Sequence, residues 1–349
     1  MSTEKILQEV ENWKSYMNQD FNISIVGFGK MGALHSGILN LLKPGSVKAV
    51  VDKGRLLTFG ASRIIKCTKF YRDLDEMLRK NNPDTVYVTT PAGSHYNIVS
   101  RLLESQVENI FVEKPPTIDS RQLSSLINKK GSSKRVMVGF QKRFALPFRH
   151  AKNIISEGEI GEIENVSSYI KSSDILTRTD RFDNIGRGVL LDLGIHLVDL
   201  LNWMLKIDTV KSSNFKKIFT NVDDYFEFTM KTAKGADVFV ETTWSSPEHR
   251  VPLTYIMIRG SKGTLEVTED HLRVEYIGNY PEKRNKRLEL YKPNYYQSTP
   301  PVNLGDPEYT LENMHFLQTI CSSEEPLTSL ENVRETMYLV DELYRKAQM

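Results

Sequence analysis

Three polar residues in an otherwise apolar stretch are the first candidates for chemistry. Residues 188–205 read Gly-Val-Leu-Leu-Asp-Leu-Gly-Ile-His-Leu-Val-Asp-Leu-Leu-Asn-Trp-Met-Leu. On a helix turning about 100° per residue, Asp192, His196 and Asp199 fall within roughly 60° of one another. Leu, Val, Ile, Trp and Met cover most of the other faces, so the helix is expected to be buried. An acid and an imidazole are costly to bury without partners, so the stripe is either a buried ion pair or cap, or a proton-handling group. As chemistry, His196, with an unperturbed pKa of about 6.5, suits a general base, and Asp192 would orient the substrate or stabilise the imidazolium. A metal on Asp192 and His196 lacks an evident third ligand, so none is expected. The stretch is too polar at its centre to span a membrane.

A second group of residues points to a nucleotide. The short apolar run Asn22 to Val26 leads directly into Gly27-Phe28-Gly29-Lys30-Met31-Gly32 and then into a helical run to Leu42. In a strand-turn-helix setting the first glycine permits the tight turn, the second lets the backbone approach a pyrophosphate, and the third lets helix and strand pack closely. The amides at the helix start then face the anion. A second strand, Val47 to Val51, ends in Asp52, whose carboxylate could accept both ribose hydroxyls of the adenosine, which favours NAD. Lys53 and Arg55 could pair with a 2′-phosphate, so NADP stays open.

The third candidate is Lys114, at the end of a strand and followed by two prolines that hold it toward a cofactor crevice. A rim salt bridge with Glu113 is the plainer alternative. Thr90-Pro91 closes the preceding strand at the same rim. His95 and His35 lie on helices near it, as packing or capping residues or as cofactor contacts. Lys142 and Arg143 follow the sixth strand and could meet an anionic group on a substrate or serve only as surface charges. The polar segment 172–187, with Asp174 and Arg187 among its charges, could shape specificity.

These residues need a scaffold. With 349 residues, two domains are expected. Residues 22–140 alternate strand and helix, the pattern of an open parallel sheet with helices on both faces, whose ligand lies beyond the carboxyl ends of the strands. After residue 140 the pattern changes. Strands are expected near 161–170, 225–231, 236–244, 255–260, 263–267 and 272–277, and many show period-two patterning. Residues 280–308 read as a long excursion, and 311–322 and 330–345 as closing helices. An amphipathic helix over 3–19 precedes the whole. The expected domains are therefore this N-terminal extension (1–20), a Rossmann domain (21–140) and an α+β substrate domain (141–349), whose last helix could return to the Rossmann domain.

Composition excludes other classes. A hydrophobic content of 40%, a charged content of 26% and a formal net charge of +2 fit a soluble globular protein without an electrostatic footprint for nucleic acid. The basic cluster Lys283, Arg284, Lys286 and Arg287 reads as a solvated loop or strand edge. Two cysteines without CxxC spacing, and no signal-peptide pattern, suggest a reducing, cytoplasmic setting and no membrane association.

Taken together, GFGKMG after a strand, the acid ending the second strand, Thr90-Pro91 with His95, Glu113-Lys114-Pro115, Gly139-Phe-Gln-Lys-Arg-Phe144 and Gly188-Val-Leu-Leu-Asp192-Leu-Gly194-Ile-His196 resemble the glucose-fructose oxidoreductase, inositol dehydrogenase and rhizopine catabolism (Gfo/Idh/MocA) family. The likeness covers about residues 20–349. It implies a Rossmann domain followed by a domain with a large, mostly antiparallel sheet, and homodimers or homotetramers built through that sheet. A lysine, an aspartate and a histidine around the nicotinamide would be Lys114, Asp192 and His196, with a cis peptide at Lys114-Pro115. Gln141 stands where many members carry Asn, and the N-terminal helix is extra. The activity implied is oxidation of a secondary hydroxyl of a sugar, polyol or sugar derivative. A non-redox enzyme that keeps NAD bound, or a cofactor-binding regulator, are the alternatives.

Overall fold

Backbone groups buried on both sides of a sheet must pair with one another, and the apolar runs of the first half do so in parallel. The computed structural model describes residues 20–54, 68–174, 186–249, 251–277, 287–291, 307–322 and 324–348. The expected helix over 3–19, Arg55, Cys67 and most of the polar segment 172–187 lie outside the described residues. The chain divides into two compact units, Ser2–Phe140 with Tyr309–Arg334, and Gln141–Glu308 with Glu335–Met349. The segment that joins the first unit is thus Tyr309–Arg334. The last helix, which the sequence offered for that return, clusters with the second unit instead.

In the first unit, β1 (Ile23–Val26), β2 (Val47–Val51), β3 (Lys69–Tyr71), β4 (Thr85–Val88), β5 (Asn109–Glu113) and β6 (Arg135–Gly139) form one sheet in the order β3-β2-β1-β4-β5-β6. Every neighbouring pair is parallel. This is the doubly wound order in which the chain reverses direction between β1 and β4, the place where such sheets bind dinucleotides. Between the strands run α1 (Lys30–Leu42), α2 (Leu74–Asn81), α3 (His95–Leu103) and α4 (Ser120–Lys129). Local chemistry sets their starts: the Asp73 carboxylate accepts from the Glu76 amide at 2.8 Å and that of Asp119 from the Gln122 amide at 2.8 Å.

In the second unit, α5 (Leu146–Ser156) precedes β7 (Ile163–Lys171), β8 (Ile207–Lys216), β9 (Tyr225–Thr232), β10 (Asp237–Thr243), β11 (Leu253–Gly260), β12 (Gly263–Val267), β13 (His271–Tyr276) and β14 (Arg287–Tyr291). They form one sheet in the order β14-β13-β12-β11-β7-β10-β9-β8. Only β7 with β10 is parallel among these pairs. Alternation buries one face, with Val166, Ile170, Phe226, Val238, Ile256 and Val274 inward. Three strands were not expected: β3, β8 and β14. All lie at or next to a sheet edge, β3 has three residues, and β8 carries two register shifts that break its period.

The apolar stretch of 188–205 is not one regular helix. A π turn, Leu190–Gly194, precedes α6 (Ile195–Leu205). Its start is anchored from β9's approach. The Asp223 carboxylate accepts from the amides of Gly188 at 2.8 Å and Leu190 at 3.0 Å and from the Tyr344 hydroxyl at 3.1 Å. The Asp223 carbonyl takes the Val189 amide, and a Cβ on Gly188 would lie 2.0 Å from that carbonyl oxygen. Tyr344 belongs to α8 (Arg334–Ala347), which follows α7 (Pro307–Ser322). Among the described residues no helix is long and apolar enough to cross a membrane.

Burial raises the Asp223 pKa to about 6, against the opposing pull of its hydrogen bonds. The folded protein therefore holds this proton more tightly than the unfolded chain. The stabilisation is full below about pH 4 and is lost as pH rises through 6, about 3 kcal/mol in all. In urea titrations the stability of the wild type relative to Asp223→Asn should fall by that order between pH 4 and 6. A difference that does not vary with pH would show that the carboxyl titrates normally.

Candidate active site

The glycine loop after β1 has the geometry of an anion cradle. Gly27 adopts φ +94°, which side-chain-bearing residues rarely reach, and a Cβ there would meet Thr90 at 2.7 Å. A Cβ on Gly32 would sit 2.1 Å from the Gly27 carbonyl oxygen, so helix and loop pack at backbone distance. At Gly29 a Cβ would meet nothing within 4 Å among the described residues beyond its chain neighbours, which leaves room on the outer side of the loop for a ligand. No side chain caps α1 and no acid lies in its first turn, so its leading amides are available to a phosphate.

Asp52 ties this loop to the end of β2. Its carboxylate accepts from the Phe28 amide at 2.7 Å with one oxygen and from the Gly54 amide at 2.7 Å with the other. Each oxygen keeps a lone pair for a further donor such as a ribose hydroxyl. The Phe28 ring packs edge-on to Phe70, so this residue's part in the loop is its backbone. Lys30 and Lys53 are exposed and Met31 is half-buried. The Thr89 hydroxyl, which sequence reasoning missed, donates to the Gly27 carbonyl at 2.6 Å and braces the same turn. These residues fit the pyrophosphate and ribose of a dinucleotide.

At the next rim turn, Thr90 is half-buried, its hydroxyl accepting from Ser94 at 2.8 Å, and Pro91 is exposed. Lys114 is half-buried at the end of β5, with a cis peptide to Pro115. Glu113, offered by the sequence as a rim partner for Lys114 and also a candidate cofactor contact beside it, is turned inward. One carboxylate oxygen lies 2.8 Å from His35 Nε2, and the other accepts from the Lys114 amide at 3.2 Å. Asn313 holds the other nitrogen of His35, with Nδ2 2.9 Å away. His95 is 1% exposed, with Nδ1 2.7 Å from the Pro115 carbonyl oxygen and Nε2 2.6 Å from that of Thr90. Both histidine rings are thus spent on the protein, and neither has a nitrogen left for a cofactor.

In the second unit the polar stripe divides by role. The Arg143 guanidinium donates to both Asp199 oxygens, Nε at 2.7 Å and Nη2 at 2.6 Å, and the Thr336 hydroxyl adds a third bond at 3.0 Å. Asp199 is 1% exposed, so this is the buried ion pair that sequence reasoning set against chemistry. Asp192 and His196 also lie buried, at 5% and 4% exposure, at the π turn and the first turn of α6. Lys142 pairs with Glu269, which also accepts from the Thr254 amide at 3.0 Å. Lys142 and Arg143 therefore depart from the substrate-binding role expected of them, because Arg143 neutralises a buried carboxylate and Lys142 a half-buried one. Their partners lie 127 and 56 residues away in sequence, with no local signal to reveal them. Among the described residues no group of three or more His, Cys, Asp or Glu is arranged to hold a metal ion.

Comparison with known proteins places the chain in a family. Residues 21–140 match the oxidoreductase family described as having an NAD-binding Rossmann fold, and residues 148–266 match the GFO/IDH/MocA C-terminal domain. The chain is 26% identical over 215 residues to scyllo-inositol 2-dehydrogenase (NAD(+)) of Bacillus subtilis, a match spanning 59% of this chain and 60% of that protein. It is 24% identical over 252 residues to inositol 2-dehydrogenase of Rhizobium meliloti, spanning 69% of this chain and 73% of that protein. Its fold is that of levoglucosan dehydrogenase in complex with NADH and levoglucosan, with a TM-score of 0.80 at 18% identity, covering 95% of this chain and 98% of that one. The chain belongs to the GFO/IDH/MocA oxidoreductase family, with its NAD-binding Rossmann fold followed by its C-terminal domain.

Proposed function

We propose that this protein is an NAD-dependent dehydrogenase that oxidises a secondary hydroxyl of a sugar, polyol or sugar derivative. The observation that carries the reading is the glycine loop of Gly27 to Gly32 tied to Asp52, a cradle for a dinucleotide, in a chain that also buries Asp192 and His196, at 5% and 4% exposure, in an apolar stretch. The relatives named inositol dehydrogenase and levoglucosan dehydrogenase support the substrate class. Gly27 to Gly32, Asp52 and the Thr90-Pro91 turn would hold the cofactor. NAD+, when bound, supplies the hydride acceptor.

The proton is the protein's task. His196 takes it from the hydroxyl as general base, and Asp192, four residues earlier, stabilises the resulting imidazolium. Lys114 donates a hydrogen bond to the hydroxyl oxygen and keeps it as that oxygen becomes a carbonyl, favouring the intervening negative charge. We place the protein in the cytoplasm, on the cysteine usage already described. For the homodimer or homotetramer, the contact would be the sheet face opposite the buried one. That face carries stacked Tyr169 and Tyr255, with ring centroids 5.1 Å apart, and Phe239, which is 54% exposed.

The direct test is reduced-nicotinamide absorbance across a panel of inositols, levoglucosan, aldoses, sugar acids and nucleotide sugars. A substrate consumed without NADH accumulation would replace the dehydrogenase with a non-redox enzyme. On the substrate so found, Lys114→Ala and His196→Ala should each lower kcat by roughly two orders of magnitude. Wild-type turnover in both would remove these roles. Asp52→Asn keeps an acceptor for the Phe28 amide but loses the charge that repels a 2′-phosphate. The preference for NAD+ over NADP+ in kcat/KM should shrink about tenfold or more, about 1.4 kcal/mol. An unchanged ratio would move cofactor discrimination away from Asp52.

A further inference from the structure

His95 bridges two carbonyl oxygens, and a carbonyl oxygen can only accept. A neutral imidazole carries one N–H, so it can satisfy one of the two; at the other, a nitrogen lone pair would face an oxygen lone pair. At 2.7 Å to Pro115 and 2.6 Å to Thr90, both contacts have hydrogen-bond length, and both can be hydrogen bonds at once only when each nitrogen carries a proton. The two acceptors belong to the two turns that form the rim beyond β4 and β5, and Pro115 directly follows Lys114. We propose that His95 is a positioning residue for the oxidoreductase reaction: its ring bridges the Thr90 and Pro115 carbonyls and so fixes the turn that presents Lys114, with two hydrogen bonds when the ring is protonated and one when it is neutral. This rests on the role assigned to Lys114 above.

The charged groups acting on the ring come from the end of β5. Glu113 favours the proton and Lys114 opposes it, while the β4 turn contributes only the Thr90 carbonyl. Burial is the largest influence and holds the ring's pKa below its ordinary value, although the two carbonyl bonds raise it. The proton therefore leaves on the acid side of neutrality. As pH rises through that point one of the two bonds is lost, and the turns are held less tightly. Because Glu113 is itself held by His35, and His35 by Asn313, the clamp has a fixed base on the side away from the rim.

The test is a pH titration of the whole protein labelled with nitrogen-15 in its histidine rings, with NADH binding followed by fluorescence under the same conditions. The ring of residue 95 is identified in the wild type by its proximity to Thr90 and Pro115, so the measurement survives a variant that does not fold. Both ring nitrogens should be protonated at low pH and one proton should be lost below pH 6.5, with NADH affinity weakening at least threefold over the same interval. His95→Gln, which has a single donor group, should bind NADH more weakly and without that pH dependence. A ring that stays singly protonated down to pH 5, or a pH profile for NADH that His95→Gln leaves intact, would overturn the clamp. Neither result depends on catalysis by Lys114, whose own failure would appear as undiminished turnover in Lys114→Ala.

Discussion

Burial of charge is the constraint on which the second unit is built. Arg143 and Asp199 meet with two parallel hydrogen bonds inside a helix environment made of leucine, isoleucine and valine, and Thr336 fills a further acceptor position. In such a setting the attraction offsets desolvation only when the geometry is complete, and deletion of one partner costs roughly 3–5 kcal/mol. The pair also has a directional consequence. A helix greasy on nearly every side could be rotated at little cost, and a fork bound to one of its carboxylates removes that freedom. Asp223 does the same at the other end by holding the amides of Gly188 and Leu190. Asp192 and His196 lie between these two restraints.

The first unit solves an analogous problem with backbone rather than charge pairs. A loop that must approach a pyrophosphate has no side chains to hold it, so its neighbours do: Thr89 takes the Gly27 carbonyl and Asp52 takes the Phe28 amide. The turn after β5 is held similarly, through Glu113, His35 and Asn313. Each rim element is thus fixed from behind by a polar side chain.

What was legible in the sequence follows from the range of the forces involved. The strand-glycine-helix unit and the doubly buried strands are governed by neighbours within a few residues, and their positions could be read directly. Edge strands such as β8 are half solvated and irregular, so hydrophobic period carries little of their signal. The π turn leaves no compositional mark at all. Arg143 and Lys142 looked like ligands for an anion because their counter-charges come from distant segments, and a cation next to a strand end reads alike whether its partner is a substrate or a buried acid. Asp223 was passed over for the same reason: nothing around Asn221-Val-Asp-Asp distinguishes a turn from an anchor.

The return of Tyr309–Arg334 to the first unit has a consequence for how the chain is made. Phe316 packs on Tyr87 and Phe111, and the Thr328 carbonyl accepts from the Val138 amide beside β6. The nucleotide fold therefore lacks part of its interior until residues 309–334 have left the ribosome. Synthesis places residues 141–308 of the second unit between two portions of the first, so residues 2–140 are an unfinished body rather than an independent module, and their completion waits for residues 309–334.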